Sequence, residues 1–316
     1  RPDRATIVYC NLLQRAYKKV PIIIGGIEAS LRRFAHYDYW DNKVRHTILS
    51  DSGADLLAYG MGERVLTEIA DCLKAGYAVD EIRHIPGTCY MTAQPPAGQD
   101  TVLLPSFADV AANNRLYNQA FKIQYQQQDP VRGKILVQFD NKKYLVQNPP
   151  AMPLNRQEMD KVYALPFSRR QHPMYREAVP ALEEVHFSIT GSRGCFGSCS
   201  FCALTFHQGR IVQSRSKESI LKEVNLLTKL PEFKGYIHDI GGPTANFRQP
   251  ACKKQLKHGT CEKRNCLFPE PCKQLEVDHG EWIDVLQSAA KVKGVKKVFV
   301  RSGIRYDYLL RRCRLR

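Results

Sequence analysis

The chain has 316 residues, of which 43% are hydrophobic and 25% charged, a balance typical of globular proteins that excludes general disorder. Its length corresponds to about two domains at ~100–200 residues per domain. No run of about 18 apolar residues occurs, so we expect no membrane span and no membrane partner. The chain begins at Arg1 without a methionine or a signal-peptide pattern, and we interpret both ends as cuts through a larger protein.

The net charge is strongly positive, because 47 lysines and arginines stand against 31 acidic residues, giving +16. This excess is compatible with a polyanionic partner such as RNA or a nucleotide-like substrate. The alternative is that the basic residues lie on solvated faces or pair with acidic residues in sequence outside this chain. We favour this alternative, since the sequence contains no known nucleic-acid-binding motif.

Residues 1–104 alternate between strand-like and helix-like segments. Two short apolar runs, at residues 21–26 and 55–62, each end in glycines, and residues 63–74 then repeat apolar side chains at helical spacing. Strand, glycine turn and helix in succession predict a Rossmann-like α/β domain over this range. Tight strand-to-helix turns explain the glycines without a ligand, because no GxGxxG pattern is present.

Residues 105–180 are predicted to form a connector with its own structure. Ser106 has the properties of a helix cap, with Asp109 three residues on. The segments 134–139 and 143–147 flank a short polar turn and predict a β-hairpin. A proline-rich stretch follows the hairpin and is interpreted as a linker.

The alternation of strand and helix returns over residues 181–316. Apolar runs at residues 185–190, 236–240 and 298–300 predict three strands, with helical spacing between them. Strands joined by helical crossovers pair in parallel through right-handed connections. The sequence therefore predicts either the start of a (β/α) barrel or half of a doubly wound sheet.

The strongest chemical signal is a CxxxCxxC group, Cys195, Cys199 and Cys202, directly after the first of these strands. Three thiolates from one loop can hold three irons of a [4Fe–4S] cube. The loop contains no fourth cysteine, so one iron stays open for a substrate, as catalysis requires. Two alternatives stay open: a structural zinc site completed by His207, and a closed four-cysteine cluster for electron transfer.

A second group, Cys252, Cys261, Cys266 and Cys272, lies in a polar insertion at residues 247–280. The insertion is too small and polar to build its own core, so a metal would stabilise it, and both zinc and a second iron–sulfur cluster are candidates. The spacing is looser than in typical zinc motifs, and thiols with a structural role are the alternative. Clustered thiols without a secretory signal favour metal ligation in a reducing, cytoplasmic compartment.

The CxxxCxxC group, placed after the first strand of a βα series, resembles the signature of the radical S-adenosylmethionine (radical SAM) enzymes. Longer strings, together with the four-cysteine insertion, resemble the YgiQ family of radical SAM proteins. These strings are GGIEAS at 25–30, SRGCFG at 192–197, LTFHQGR at 204–210 and DIGGPTAN at 239–246.

The resemblance implies a cofactor site. The three cysteines of the CxxxCxxC group would bind three irons of a [4Fe–4S] cluster, and S-adenosylmethionine would chelate the fourth. Phe201 matches the position that packs near the adenine. Gly241, Gly242, Pro243 and Thr244 match the motif that receives the methionine amino group. An acidic residue often follows those glycines in the superfamily, and here a proline stands in its place, so backbone carbonyls are expected to make that contact.

The resemblance also implies a fold and a reaction. Residues 181–316 would be a truncated radical SAM core, a partial (β/α) barrel in which Arg301, Ser302 and Arg305 lie near the mouth. The enzyme would cleave S-adenosylmethionine reductively to a 5′-deoxyadenosyl radical that abstracts hydrogen from an unassigned substrate, with flavodoxin or ferredoxin as a suitable reductant. We expect this piece alone to bind the cluster poorly and not to turn over. The alternative is a zinc- or cluster-stabilised RNA-binding module without catalysis.

Overall fold

The computed structural model describes residues 3–96, 98 and 100–311. The chain forms two compact units, Arg1–Pro153 with Thr205–Gly209, and Leu154–Leu204 with Arg210–Arg316. This division differs from the predicted boundaries, because the segment predicted as a connector is shared between the two units. Its hairpin and the helix capped by Ser106 belong to the first unit.

The first unit combines helices with a six-stranded sheet and a separate two-stranded ribbon. Its first six helices are α1 (Ala5–Ala16), α2 (Gly26–Leu31), α3 (Ile48–Ser52), α4 (Glu63–Lys74), α5 (Phe107–Ala112) and α6 (Asn114–Gln126). Its strands are β1 (Ile23–Ile24), β2 (His36–Asp38), β3 (Lys43–Arg45), β4 (Leu56–Ala58), β5 (Thr88–Thr92), β6 (Thr101–Leu103), β7 (Ile135–Asp140) and β8 (Lys143–Gln147).

The six-stranded sheet has the order β1-β4-β5-β8-β7-β6, and β2 pairs with β3 outside it. Only β1 with β4 and β6 with β7 are parallel, while the other three pairs are antiparallel. The predicted hairpin, β7 and β8, enters this sheet because β8 pairs with β5, with Cys89 opposite Gln147. The α/β class is confirmed, with a mixed sheet rather than a wholly parallel one.

Both faces of this sheet are buried. Leu57, Leu136 and Leu145 belong to one hydrophobic cluster. Their neighbours along the strands, Leu56, Val137 and Val146, belong to a second cluster that also contains side chains of α4. Successive side chains of a strand point to opposite faces, so these runs of apolar residues fill two cores at once.

The second unit is built around short parallel strands. Its helices are α7 (Arg156–Tyr163), α8 (Pro180–Val185), α10 (Lys217–Leu227), α11 (Lys254–His258), α12 (Gly280–Ala290) and α13 (Tyr306–Leu309), while α9 (Thr205–Gln208) belongs to the first unit. Its strands are β9 (Ser188–Thr190), β10 (Ser192–Arg193), β11 (Gln213–Ser214), β12 (Tyr236–Ile237), β13 (Asp239–Gly241) and β14 (Lys297–Val298).

The predicted parallel series is present in this unit. β13 pairs in parallel with β9, and β12 pairs in parallel with β14. The two inner strands are separated only by His238, whose N–H donates to the Phe187 carbonyl at 3.0 Å. Three strand segments thus lie side by side, and α10 and α12 cover them through Ile220, Val224, Val285 and other buried residues.

The strand predicted over residues 185–190 is shorter than expected. Val185 is the last residue of α8, a helix with proline at its first position, and the strand begins only at Ser188. Proline is favoured at the start of a helix because its fixed φ suits the first turn. Within the residues that the structure describes, no helix combines the length and apolar character needed to cross a membrane.

Candidate functional site

The three-cysteine loop begins directly after β10, which pairs antiparallel with β11. Gly194, the first loop residue, has a φ of 77°. A Cβ at this position would also lie well inside van der Waals contact with the Ile211 carbonyl. A side chain at residue 194 would therefore meet both backbone strain and a steric clash.

Cys195 lies half-buried near the loop after β13. Its Sγ is 3.9 Å from Thr244 Oγ1 and accepts the Gly197 N–H at 3.4 Å. Burial raises the pKa of the Cys195 thiol, and these two hydrogen bonds partly oppose the rise. The structure thus brings together Cys195 and Thr244, two of the predicted site residues.

Cys199 contacts an arginine from the loop after β14. Arg305 Nη1 is 3.1 Å from Cys199 Sγ and 3.4 Å from the Gly197 carbonyl. On its other side, Arg305 pairs with Asp307, and its Nε donates to Asp307 Oδ1 at 2.9 Å. This pair raises the pKa of the guanidinium and lowers that of the carboxyl, so a fixed positive charge lies beside the cysteine loop.

Gly197 leaves room for this arginine. A Cβ on Gly197 would lie 2.5 Å from Arg305 Nη1 and 3.2 Å from Cys195 Sγ. The electrostatic neighbours of Cys195 include both Cys199 and Arg305. The guanidinium therefore offsets negative charge that thiolate ligands would place on this loop.

Cys202, the third predicted ligand, and its neighbour Phe201 lie in a turn of the same loop. The Cys202 N–H donates to the Cys199 carbonyl at 3.1 Å, which closes a turn in the loop. The Phe201 side chain is 90% exposed and packs in no hydrophobic cluster. Among the described residues, no group of three or more His, Cys, Asp and Glu side chains is assembled as a metal site.

The predicted glycine motif lies at the end of β13 and just beyond it. A Cβ on Gly241 would overlap Ser302 Oγ, and one on Gly242 would lie 2.5 Å from the Ser192 carbonyl. Close packing thus accounts for both glycines without a ligand. Gly241 also uses its carbonyl to accept the Gly191 N–H at 2.6 Å.

Asn246, which sequence reasoning did not single out, ties two of these loops together. Its Oδ1 accepts the Arg305 N–H at 3.0 Å, and its Nδ2 donates to the Arg305 carbonyl at 3.2 Å. The Ala245 N–H donates to the Gly303 carbonyl at 2.9 Å. The loop that carries Thr244 and the loop that carries Arg305 are therefore held in one arrangement. The asparagine in the DIGGPTAN string was the only sequence signal for this contact.

An aromatic cluster, also not predicted, lies under the cysteine loop. The rings of Phe196 and Phe247 are stacked with centroids 3.8 Å apart. Tyr308 meets both rings edge-on, at 5.7 Å and 5.1 Å. Because Phe196 follows Cys195 directly, this packing fixes the backbone at the first cysteine.

The remaining candidate ligands lie elsewhere. Cys252, Cys261, Cys266 and Cys272 all line one small cavity in the insertion. The Nδ1 atom of His207 lies 3.0 Å from Ser30 Oγ, inside the first unit. The ten cysteines within the described residues are all free thiols; Cys313 falls outside those residues.

Comparison with known proteins shows the family. Residues 1–188 match the family described as radical SAM N-terminal. The chain belongs to this radical SAM N-terminal family. The matched range ends before the three-cysteine loop, so membership rests on the first unit and the beginning of the second.

Curated relatives match almost the entire chain. A UPF0313 protein of Clostridium botulinum (strain ATCC 19397 / Type A) is 58% identical over 312 residues, which are 98% of this chain and 48% of that protein. A UPF0313 protein of Clostridium perfringens (strain SM101 / Type A) is 60% identical over 313 residues, or 98% and 47%. The chain spans about half the length of these relatives. Their name is consistent with the YgiQ resemblance without establishing it.

One solved structure shows a weak likeness. It is the radical S-adenosylmethionine methyltransferase TsrM from Kitasatospora setae, solved with tryptophan substrate and the SAM analogue aza-SAM. The TM-score is 0.36 at 17% sequence identity, covering 72% of this chain and 32% of TsrM. A likeness of this size carries no weight for fold or function.

Proposed function

We propose that this chain is part of a radical SAM enzyme, with residues 181–316 contributing to its radical SAM core. Cys195, Cys199 and Cys202 would hold three irons of a [4Fe–4S] cluster, leaving the fourth for S-adenosylmethionine. The observation that carries the proposal is that the cysteine loop after β10 meets the loops after β13 and β14, through Cys195 beside Thr244 and Cys199 beside Arg305. Three loops of one strand series thus contribute to one site, as is usual for ligand sites in α/β folds.

The chemistry of the residues present fits such a cofactor. Thiolates are the usual protein ligands of iron–sulfur clusters, and hydrogen bonds to the sulfurs tune them. The Gly197 amide and the Arg305 guanidinium are already directed at Cys195 and Cys199. The cysteine side chains are not assembled as a ligand set, so they would close on the cluster as it binds.

When a reduced cluster and S-adenosylmethionine are bound, they supply one-electron cleavage of a carbon–sulfur bond and radical hydrogen abstraction. The chain's own residues would bind and orient. Thr244 would position Cys195 and face the methionine end, and the exposed Phe201 ring is free to cover the adenine. Arg305 would balance the charge of the thiolates. Flavodoxin or ferredoxin is a suitable electron donor.

Electron paramagnetic resonance of the reduced protein tests the proposal. The full-length protein and this chain are reconstituted anaerobically with iron and sulfide, and spectra are recorded with and without S-adenosylmethionine. We expect the full-length protein to give a cluster signal that changes on addition of S-adenosylmethionine and to release 5′-deoxyadenosine. This chain alone should give a weaker signal and no turnover.

Matched variants make the test specific. Replacing Cys195, Cys199 and Cys202 together by alanine should abolish the signal that responds to S-adenosylmethionine, whereas Cys72→Ala, in helix α4 of the first unit, should leave it unchanged. A responsive signal that survives the triple replacement would overturn the proposal. Absence of any cluster, combined with salt-sensitive RNA binding, would favour the non-catalytic RNA-binding alternative.

A further inference from the structure

The four-cysteine insertion, residues 247–280, has little regular structure to hold it. Before α12 begins at Gly280, the five-residue helix α11 is its one helical segment, and no strand falls within these described residues. Its buried apolar side chains are few, and Phe247, Ala251 and Leu267 join a small hydrophobic cluster with Phe196 and Tyr308. A segment with so small a core needs another source of stability.

The four cysteines of the insertion nevertheless converge from across 21 positions of sequence. Cys252, Cys261, Cys266 and Cys272 line one cavity. The Cys272 N–H donates to the Cys266 carbonyl at 2.9 Å, so the chain folds back on itself there. Cys261 is exposed, whereas Cys266 is buried. Simple core packing does not explain four thiols around one space in a polar, lysine-rich segment.

The surroundings suit a negatively charged metal–thiolate group. The electrostatic neighbours of Cys266 are Arg210 and the other three cysteines of the insertion. The Arg210 Nη1 atom donates to the Cys261 carbonyl at 3.1 Å, and Arg264 lines the cavity. A divalent ion with four thiolates carries two negative charges, which these guanidinium groups would partly offset.

The size of the cavity distinguishes between the candidate metals. Its volume is about 20 Å³, enough for about one water molecule or one ion. A cube of four irons and four sulfides is larger than this space, so the four side chains would have to move apart to hold it. Zinc with four cysteine ligands forms a closed tetrahedral site of this compact kind.

We propose that Cys252, Cys261, Cys266 and Cys272 bind one zinc ion as a tetrahedral tetrathiolate site that stabilises the insertion. The four side chains line the cavity without being assembled as a ligand set, so they close on the ion as it binds. Cys266 and Leu267 pack in the same hydrophobic cluster as Phe196, the neighbour of Cys195. The zinc ion therefore stabilises the packing under the first cysteine group. The site does not depend on the radical SAM proposal.

Metal analysis of the whole chain tests this site in isolation. Cys195, Cys199 and Cys202 are first replaced by alanine, so that only the second group remains for metal. After zinc loading and dialysis against a weak chelator, we expect about one zinc ion per chain by elemental analysis. Cys261→Ser should abolish zinc retention, and because Cys261 is exposed its replacement leaves no hole in the core. Cys72→Ser is the matched control and should retain the ion.

A second measurement covers the case in which a variant fails to fold. Cobalt(II) is titrated into the chain that keeps all four cysteines of the insertion. Thiolate-to-cobalt charge-transfer bands with tetrahedral ligand-field bands, displaced by stoichiometric zinc, are the expected result. Failure to bind cobalt or zinc would overturn the proposal. So would iron and sulfide held by the four cysteines in preference to zinc, or zinc retention that Cys261→Ser does not change.

Discussion

The two cysteine groups of the second unit use different parts of the fold. The first group draws on three loops, because Cys195 and Cys199 meet Thr244 from the loop after β13 and Arg305 from the loop after β14. The second group is supplied by the insertion alone, and its four cysteines line one small cavity. A site assembled from several strand ends has open sides for ligands, whereas four thiols from one insertion are suited to holding one ion.

The two groups also differ in how an arginine contacts them, but both pack against the same hydrophobic cluster. A single guanidinium touches a sulfur in the first group, whereas Arg210 donates to a backbone carbonyl beside the second. Beneath both lies the same aromatic cluster, in which Phe196 comes from the cysteine loop and Phe247 from the start of the insertion. A change in this shared cluster should therefore affect both groups, whereas changes above it should affect one.

Phe247→Ala is expected to have the largest effect. The ring is 1% exposed and stacks on Phe196, so its removal should cost about 3–5 kcal/mol of unfolding free energy. Urea denaturation followed by Trp282 fluorescence in a Trp40→Phe background reports on the second unit alone. Phe268→Ala, in the same insertion but 69% exposed, is the control and should cost less than about 0.5 kcal/mol. If the two variants lose the same unfolding free energy, the aromatic cluster does not support the two cysteine groups.

Local patterns were sufficient to predict several elements of the first unit. Helix α4 has the bounds that the periodicity predicted, and β1 lies in the apolar run that ends in two glycines. Helix α2, which begins at the second of these glycines, was not predicted. The hairpin of β7 and β8 was also recognised, but its place in the sheet was not. That place depends on the pairing of β8 with β5, and such long-range register is not encoded by the turn that forms the hairpin.

The candidate site was predicted only in part, because some of its contacts also join residues that are far apart in the sequence. The cysteines and Thr244 could be identified from spacing and resemblance. The contact of Arg305 with Cys199 joins residues 106 positions apart and follows from strand order rather than from any local motif. Phe201 was predicted to pack near the adenine of S-adenosylmethionine; its ring is 90% exposed, and that role stays a prediction.

Gly194→Ala should destabilise the first cysteine group next most strongly. The substitution meets both a left-handed backbone conformation and the Ile211 carbonyl, so we expect a loss of about 3 kcal/mol in the Trp282 assay. Gly303→Ala is a matched control, because Gly303 has a similar φ of 85° but no atom within 4 Å of the added Cβ. That control should lose only about 1–2 kcal/mol. If Gly194→Ala and Gly303→Ala lose the same stability, the cysteine loop moves to accommodate the methyl group added at residue 194.

Arg305→Gln should affect the first group and spare the second. Losing the guanidinium beside Cys199 should weaken cluster retention by about 10–100-fold, as removal of groups that support metal ligands commonly does. Iron release into a chelator measures this effect, and zinc retention by the insertion should not change. Arg301→Gln is the control, since Arg301 makes an exposed ion pair with Glu184. If both variants release iron equally fast, the loss of one positive charge, and not the contact between Arg305 and Cys199, would explain the effect.

Gln255→Leu should affect the second group, with the smallest expected change in stability. The buried Gln255 side chain accepts the Ala251 N–H at 2.8 Å, and its Nε2 lies 4.0 Å from Cys266 Sγ. Leucine would fill a similar volume but leave the Ala251 amide unpaired, at a cost of about 1–3 kcal/mol. We expect faster zinc loss to a chelator in Gln255→Leu than in the wild-type chain. If Gln255→Leu releases zinc at the wild-type rate, the amide contact does not hold the four cysteines in place, and the zinc site would depend on the aromatic cluster alone.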